Sequence, residues 1–245
     1  MLDPVSQFFE ERKAAIIAMS EDKELSKKSL DWMIHADKYK YTYNFTWMGR
    51  PIIKYPNDIL IQQEIMWEIR PDLIIETGIA HGGSLILSAS LQKMMGIKGE
   101  VVGFDIDIRQ HNKQAIETHE VFDVISMYEI DSSSEEILEL LKPHLSGKQK
   151  VMVILDSLHT HDHVLKEIKL LSSLVSVGSY LVLPDTFIEF FPEGYYSNRP
   201  WDVGDNPYTA MQAFLSSTSN FEVDITRSAK AQITEAFSGY LKRVG

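Results

Sequence analysis

Short continuous apolar runs recur along the middle of the chain, and helical spacing of apolar residues follows most of them. Apolar strands that alternate with helices are typical of a parallel sheet covered on both faces. The pattern therefore predicts an α/β fold. Its five strands are expected at residues 73–75, 100–106, 124–130, 151–155 and 180–183, and its helices at residues 84–95, 111–118, 134–141 and 163–174.

The N-terminal part of the chain has a different pattern. Residues 5–38 are charged and helix-prone, and helical spacing returns between Asn57 and the break at Pro71. Asn57 or Asp58 is the expected N-cap of that second helical region, since both side chains can accept a hydrogen bond from the first turn.

The C-terminal part predicts two late strands. They are expected at residues 221–225 and 239–244, and the polar stretch between them is too short and irregular to predict a helix. An antiparallel hairpin at the sheet edge fits this pattern. No repeat or linker interrupts the sequence, so residues 1–245 are predicted to form one domain, with 1–70 as a helical and aromatic extension and 71–245 as the core.

Aromatic residues occupy every second position in one segment of the extension. In an extended strand, this spacing places all of them on one face. Such a face could pack against the core or a second copy of the chain, or it could form a wall of an acceptor site. Burial is the commoner use of aromatic residues, and self-association into a homo-oligomer is expected. The five residues are Tyr39, Tyr41, Tyr43, Phe45 and Trp47.

The acidic composition limits the partners of the protein. The 24 Lys and Arg and 35 Asp and Glu residues give a net charge of 24 − 35 = −11, which disfavours nucleic acids and anionic membranes. There is no cysteine and no apolar run of the about eighteen residues that a membrane span needs. The first residues also lack the pattern of a signal peptide, so a cytoplasmic protein is expected.

A glycine-rich turn connects the first core strand to its helix, where open α/β sheets bind ligands. Glycines allow a tight turn and a close approach to a ligand, and the serine that follows can cap the helix. The spacing G-x-x-x-G-G differs from the G-x-G-x-x-G of dinucleotide sites, and its preceding acid suits a cationic group. Alone, the turn also fits an ordinary connection. Its residues are Glu76, Thr77, Gly78, His81, Gly82, Gly83 and Ser84.

Acidic residues end two further core strands. Asp105, with Asp107 close behind, ends the second strand, and Asp156 ends the fourth. A carboxylate at such a position can accept hydrogen bonds from both hydroxyls of a ribose. Each residue alone could cap a helix, but together with Glu76 and the glycine-rich turn they favour an adenosyl ligand.

A run of histidines follows Asp156 and suggests a metal site. The spacing of His159, His161 and His163 does not match the H-x-H-x-D-H of metallo-β-lactamase-type hydrolases, because Asp162 comes one residue too early. In a helix, His159 and His163 would share a face that His161 does not. A metallohydrolase built on the three histidines stays an alternative, and His159 is the better candidate for chemistry.

Asp185 and the segment after it provide further candidates. Asp185 closes the fifth strand, and with Asp156 it could give two oxygen ligands to Mg²⁺. About twenty loop residues follow, and a loop of that length in a compact domain is typical of a lid or binding loop, although a structural loop is the alternative. Its candidate acceptor-binding residues are Tyr195, Arg199, Trp201 and Asp202.

Several segments in the same order resemble the cephalosporin hydroxylase/rhamnosyl O-methyltransferase family. They begin at Tyr43, Ile75, Asp105, Leu155 and Gly178, and the resemblance extends from about residue 39 to the C-terminus. It implies the Rossmann-like fold of class I methyltransferases, with a seven-stranded and mostly parallel sheet, an antiparallel last strand and helices on both faces. More distantly, the layout is similar to catechol O-methyltransferase.

The resemblance also implies how the cofactor S-adenosylmethionine would be held. Glu76, Gly78 and the turn that follows would hold its methionine end. Asp105 would bind its ribose, and Ser132 and Ser133 would lie near its adenine.

The similarity to catechol O-methyltransferase implies a metal site and a base. Asp156 and a residue after the fifth strand would hold Mg²⁺, and His159 occupies the position of the lysine base. Pro184 is a departure, because many relatives have a polar metal ligand at that position. The metal could therefore be absent, shifted, or completed by Thr186 or water.

The predicted function is methyl transfer from S-adenosylmethionine to a hydroxyl of a saccharide, glycolipid or glycosylated metabolite. The cofactor is already activated, so the protein must align donor and acceptor and remove a proton. Mg²⁺ on Asp156 and Asp185 would lower the pKa of the hydroxyl, and His159 would accept the proton. A subunit that binds the cofactor without turnover is a second alternative.

Overall fold

The structure, a computed structural model, describes residues 3–245 and begins with a helical extension. Its elements, in chain order, are α1 (Pro4–Glu21), α2 (Lys23–Asp37), the hairpin strands β1 (Phe45–Trp47) and β2 (Arg50–Ile52), and α3 (Pro56–Ile69). No residue of α1 is buried, and α1 lies against α2 and a late helix. The predicted helical extension is therefore present.

A mixed sheet forms the centre of the molecule. Its strands are β3 (Leu73–Thr77), β4 (Glu100–Asp105), β5 (Ile125–Glu129), β6 (Val151–Leu155), β7 (Tyr180–Val182), β8 (Phe221–Val223) and β9 (Tyr240–Arg243). They lie in the order β5-β4-β3-β6-β7-β9-β8. The pairs from β5 to β7 are parallel, and β9 runs antiparallel to both β7 and β8. The predicted seven-stranded sheet with an antiparallel last strand is confirmed.

Helices cover both faces of this sheet. They are α4 (Gly83–Met94), α5 (Gln110–Glu117), α6 (Glu136–Leu145), α7 (His161–Leu171), α8 (Pro207–Leu215) and α9 (Ile225–Ala231). Neighbouring strand residues point to opposite faces: Ile74 and Val101 pack in the cluster of α3 and α4, whereas Ile75 and Val102 pack with α6 and α7. This two-sided burial explains the continuous apolar strands. Within residues 3–245, no helix is both long and apolar enough to cross a membrane.

The N-terminal extension packs against the segment that follows β7. Met33 of α2 and Tyr55 form a buried cluster with Phe187, Ile188 and Phe191. Because this cluster joins the extension to the long loop, the two segments together enclose one end of the sheet.

The predicted conformation of the aromatic segment was wrong. Lys40 has a φ of +50°, residues Tyr41–Asn44 form a 3₁₀ helix, and only Phe45–Trp47 are a strand. The Asn44 amide donates hydrogen bonds to the Lys40 and Tyr41 carbonyls at 2.9 and 3.1 Å, and this local bonding stabilises a turn instead of an extended strand. The aromatic residues therefore do not share one strand face.

Two smaller predictions were also wrong. The N-cap of α3 is Tyr55, followed by Pro56, because the Asp58 side chain accepts hydrogen bonds from the C-terminal segment instead. The polar stretch between β8 and β9 contains α9, which Asp224 caps by accepting from Thr226 N.

Candidate active site

A cleft of about 440 Å³ opens at the carboxyl ends of β3, β4 and β6. This is the edge at which parallel α/β sheets bind ligands. Many of the candidates predicted from the sequence line it: Gly78, His81, Gly83, Ser84, Asp105, Ser132, Asp156, His159, Asp185, Arg199 and Trp201.

The glycine-rich turn passes very close to the strand beside it. Gly78 has a φ of +86°, and a Cβ at this position would lie 1.8 Å from the Asp156 carbonyl oxygen. A Cβ on Gly83 would lie 2.2 Å from the Pro51 carbonyl oxygen. Only glycine fits at either position, because a side chain would collide with the neighbouring backbone.

Arg50 of the β1–β2 hairpin holds the same turn from outside. Its guanidinium donates hydrogen bonds to the His81 carbonyl at 2.6 Å and to Asn112 Oδ1 at 3.0 Å. Asn112 in turn donates to the Ala80 carbonyl at 2.9 Å. The hairpin thus fixes the shape of the turn, a role that its sequence did not suggest.

Asp105 organises the opposite side of the turn. Its Oδ2 accepts hydrogen bonds from the N–H groups of Ile79 and Ala80 at 2.8 and 3.1 Å, and its Oδ1 accepts from Asp107 N at 3.0 Å. Each carboxylate oxygen can accept two hydrogen bonds, so the side chain keeps acceptor capacity towards the cleft.

Glu76 carries a buried carboxylate behind the turn. The residue is 0% exposed and does not itself line the cleft, and neither carboxylate oxygen has a partner with hydrogen-bond geometry among the described residues. Burial raises the pKa of Glu76 to about 7, against the opposing effects of the Lys54 ammonium and the Ser84 hydroxyl. A buried carboxylate without a partner is costly, and a cationic ligand group would stabilise it.

The side chains of Asp156, His159 and Asp185 lie close together in the lining of the cleft. One ligand atom of each lies within 4.8 Å of the others, and no other set of three or more His, Asp or Glu side chains in residues 3–245 does so. His159 Nε2 lies 3.4 Å from Asp185 Oδ2. Burial raises the pKa of Asp185 to about 6; His159 opposes this shift, and Asp156 adds to it. Carboxylates crowded in this way suit a divalent cation.

Lys54 and Glu235 complete the floor of the cleft, and neither was among the residues predicted from the sequence. Lys54 Nζ lies 2.6 Å from Glu235 Oε1 and 3.2 Å from Asp156 Oδ2. Burial alone would lower the pKa of Lys54, but Glu235 and Asp156 raise it well above the usual value. Glu235 is buried as well, and burial raises its pKa against the opposing attraction of Lys54. The one available sequence signal for Lys54 was that it is a single charged residue in the apolar segment before α3.

The histidines do not form a common site. The backbone N–H of His161 donates to Asp205 Oδ1 at 2.6 Å, and its Nδ1 lies 2.9 Å from the Thr209 hydroxyl. His163 Nε2 lies 3.0 Å from the Ser157 hydroxyl, beside the adenine candidate Ser132. Because the three imidazoles face different partners, the alternative of a metallohydrolase is not favoured.

The long loop contributes only some of its predicted residues. Arg199 and Trp201 line the cleft, and the Trp201 ring packs on the edge of His159 with 4.6 Å between centroids. Tyr195 instead points to α2 and donates to Asp37 Oδ2 at 3.0 Å. Tyr196 takes its place in the cleft lining. The side chain of Asp202 accepts from N–H groups of the loop itself, Gly194 and Val203.

Four further candidates do not line the cleft. Thr77 is fully buried within β3, and its carbonyl accepts from Asp156 N at 2.9 Å. Asp107 lies 3.6 Å from the exposed guanidinium of Arg109. Ser133 bonds to Asp131, and Gly82 is the N-cap residue of α4, with a φ of +81°. Their predicted cofactor contacts stay predictions.

Replacing Gly78 by alanine is expected to lower the free energy of unfolding by about 2–5 kcal/mol, because backbone strain and a clash with Asp156 add together. Gly96→Ala is the matched control, since Gly96 also has a positive φ but has no atom within 4 Å of the added Cβ. It should lose only about 1–2 kcal/mol. Urea unfolding measures both losses, and equal values would contradict the close approach.

Comparison with known proteins agrees with this fold. The family model described as Rhamnosyl O-methyltransferase/CmcI matches residues 39–244. The rhamnosyl O-methyltransferase of Mycobacterium tuberculosis is 33% identical over 201 residues, which cover 81% of this chain and 78% of the relative. That of Mycobacterium leprae is 32% identical over 199 residues, which cover 81% and 82%.

Solved structures share the fold at lower identity. A CmcI structure with Mg and SAM superimposes with a TM-score of 0.59 at 23% identity, covering 83% of this chain and 78% of CmcI. The O-methyltransferase TomG from Streptomyces achromogenes, in complex with SAM, has a TM-score of 0.50 at 15% identity, covering 89% and 90%. At these identities the likeness concerns the fold alone.

The strand order and the cleft at the strand ends define a class I methyltransferase fold. The family match and the mycobacterial relatives show that the chain belongs to the rhamnosyl O-methyltransferase/CmcI family. It is an S-adenosylmethionine-dependent O-methyltransferase. The predicted family, fold class and reaction class are confirmed.

Proposed function

We propose that the enzyme transfers a methyl group to a hydroxyl of a saccharide or glycosylated small molecule, with a divalent cation and His159 acting on that hydroxyl. The observation that carries the proposal is the convergence of Asp156, His159 and Asp185 beside the glycine-rich turn. A donor held by the turn and an acceptor held by the converging residues would meet in one cleft.

The residues present fit the methyl donor. Gly78 and Gly83 line the cleft, and the buried Glu76 carboxylate behind them has no partner with hydrogen-bond geometry among the described residues, which suits the ammonium of the methionine end. Asp105 Oδ1 has acceptor capacity for one ribose hydroxyl. When bound, S-adenosylmethionine supplies a methyl group already activated on a sulfonium. The chain's part is to align it and to exclude water.

The converging residues also fit a divalent cation. The carboxylates of Asp156 and Asp185 offer oxygen ligand atoms within 4.8 Å of each other, and carboxylate oxygens suit Mg²⁺ or Mn²⁺. Asp156 and Asp185 would hold the ion, and a bound ion would lower the pKa of an acceptor hydroxyl. The predicted help from Thr186 is not supported, because Thr186 is fully buried and donates to the Glu235 carbonyl at 3.4 Å.

His159 is the proposed base. It has one ring nitrogen near Asp185, and Trp201 packs on its ring, so its orientation is fixed at the wall of the cleft. An acceptor hydroxyl placed between His159 and the donor would lose its proton to the imidazole as the oxygen attacks the methyl carbon.

A saccharide acceptor is supported by the chemistry of the outer cleft. Tyr43, Tyr196 and Trp201 offer aromatic surface, while Asp37 and Arg199 offer hydrogen bonds to hydroxyl groups. Sugars present apolar C–H faces and polar edges, so this mixture suits them. The curated relatives are named rhamnosyl O-methyltransferases. A cytoplasmic location and a homo-oligomer remain part of this proposal.

Calorimetric titration with S-adenosylhomocysteine tests the cofactor half of the proposal. The ammonium of the ligand needs Glu76 ionised, and the raised pKa of about 7 means that Glu76 binds a proton below that value. Affinity should therefore fall about tenfold per pH unit below pH 7 and level off above it. Glu76→Gln should weaken binding and remove this dependence, while Glu64→Gln, at the remote Lys230 pair, should preserve it. A pH-independent affinity in the unaltered enzyme would contradict the assignment of Glu76.

Methyl transfer to defined acceptors tests the other half. The enzyme would be supplied with isotopically labelled S-adenosylmethionine and either methyl glycosides of hexoses and deoxyhexoses or simple catechols, with MgCl₂ or with EDTA. We expect labelled methyl ethers of the glycosides, and we expect them to form with MgCl₂ but not with EDTA. Methylation of catechols alone would refute the saccharide assignment, and equal rates in EDTA would refute the role of the metal.

A further inference from the structure

Lys54 is a buried cation in a cleft dominated by carboxylates. Its side chain is 4% exposed, and it faces Glu235, Asp156 and, at longer range, Glu76. The Lys54 Nζ atom lies 2.6 Å from Glu235 Oε1 and 3.2 Å from Asp156 Oδ2, so it bridges the two carboxylates. Its side chain therefore links the cleft residue Asp156 to Glu235.

Three distant parts of the chain meet at Lys54. The lysine lies between β2 and α3, Asp156 follows β6, and Glu235 lies in the loop between α9 and β9. Glu235 is itself fixed: its backbone N–H donates to Asp58 Oδ2 at 2.8 Å, and its carbonyl accepts from Phe187 N at 3.4 Å. Lys54 thus connects Asp156 to a rigid anchor.

The anchor extends to the antiparallel strand. Asp58 of α3 accepts from the Tyr240 hydroxyl at 2.8 Å and from the Thr234 hydroxyl. All three side chains are buried or nearly so. The orientation of the Asp156 carboxylate therefore depends on packing between α3 and the C-terminal segment, away from the cleft itself.

We propose that Lys54 and Glu235 are positioning residues, which fix the Asp156 carboxylate in the orientation that binds a divalent cation and faces the cofactor. The inference rests on the proposed function, because it concerns the same Asp156. Residues that orient a metal ligand typically change metal affinity 10–100-fold when they are removed. The rival explanation is that Lys54 merely balances the negative charge of the cleft.

A pair of substitutions that conserves charge separates these explanations. Lys54→Met removes one positive charge and Glu235→Gln removes one negative charge, so the double variant keeps the net charge of the cleft but loses the anchor. Mn²⁺ binding, followed by electron paramagnetic resonance, should weaken 10–100-fold in the double variant. Calorimetric binding of S-adenosylhomocysteine should weaken at least threefold. The single variant Lys54→Arg keeps a cationic donor, so it should bind both ligands more tightly than the double variant does.

The control removes a more exposed Lys–Glu ion pair elsewhere. Lys230 pairs with Glu64 on the outer face of α3 and α9, so Lys230→Met with Glu64→Gln should leave both affinities within about twofold. Circular dichroism and thermal unfolding of each variant show whether it is folded. If the cleft double variant does not fold, Glu235→Gln alone decides, and an Mn²⁺ affinity within twofold of the unaltered enzyme would overturn the inference.

The remaining outcomes are also decisive. The double variant could fold and keep both affinities unchanged while the Lys54→Met single variant binds Mn²⁺ and S-adenosylhomocysteine with altered affinity. That result would show that Lys54 only balances charge, and it would overturn the positioning role. If the unaltered enzyme binds S-adenosylhomocysteine but not Mn²⁺, the metal part of the proposed function fails. The positioning role is then judged on S-adenosylhomocysteine affinity alone, where less than a threefold loss overturns it.

Discussion

Replacing Asp105 by alanine is expected to weaken S-adenosylhomocysteine binding at least about 100-fold. The carboxylate accepts from Ile79 N and Ala80 N and is the proposed acceptor for one ribose hydroxyl. Its removal would leave that hydroxyl unpaired and would also loosen the glycine-rich turn. Hydrogen bonds to a charged group contribute about 1.5–3 kcal/mol each, so the loss of the bond to the ribose and of one bond that holds the turn corresponds to 100-fold or more.

Asp107→Ala is the matched control for this change. Asp107 lies two residues further along, does not line the cleft, and is paired only with the exposed Arg109. Its replacement should leave the dissociation constant within about threefold, as measured by the same calorimetric titration. A folded Asp105→Ala variant that binds as tightly as the Asp107→Ala variant would remove Asp105 from the cofactor site.

Replacing His159 by alanine is expected to lower kcat by about 10²–10⁴-fold while the affinity for S-adenosylhomocysteine changes less than about threefold. His159 lies 3.4 Å from Asp185 and takes no part in the hydrogen bonds that hold the glycine-rich turn, so its loss would remove the proton acceptor and leave that turn in place. Turnover with saturating methyl donor and calorimetric binding together separate the two effects.

His161→Ala provides the control within the same run of histidines. His161 bonds to Thr209 and to the loop at Asp205, and it does not line the cleft. Its kcat should stay within about fivefold of that of the unaltered enzyme, and any loss should accompany a lower unfolding temperature. Equal kcat losses in both variants would mean that the run of histidines acts through folding, and His159 would no longer be the base.

Much of the cofactor side was predictable because its signals are local. The strands β3 and β6 are buried on both faces, so their apolar runs were visible without any knowledge of partners. An acid at the end of a central parallel strand reaches the ligand edge of the sheet. Asp105 and Asp156 therefore line the cleft as expected.

The acceptor side was less predictable because it depends on side-chain direction within irregular segments. Tyr195 and Tyr196 are neighbours in the sequence, yet Tyr195 bonds to Asp37 of α2 and Tyr196 lines the cleft. The aromatic run after α2 follows a strand-like period, but the Asn44 amide stabilises a turn there. Neither outcome has a signal in residue spacing.

The sequence by itself determined the α/β class, the strand order along the chain, the glycine-rich turn and the acids at the strand ends, because period and strand-end position are local properties. Only the tertiary structure brought Lys54 to Glu235, which lies 181 residues away, and placed both beneath Asp156. A buried ion pair between distant segments depends on how helices and loops pack on the sheet, and no local pattern records that packing.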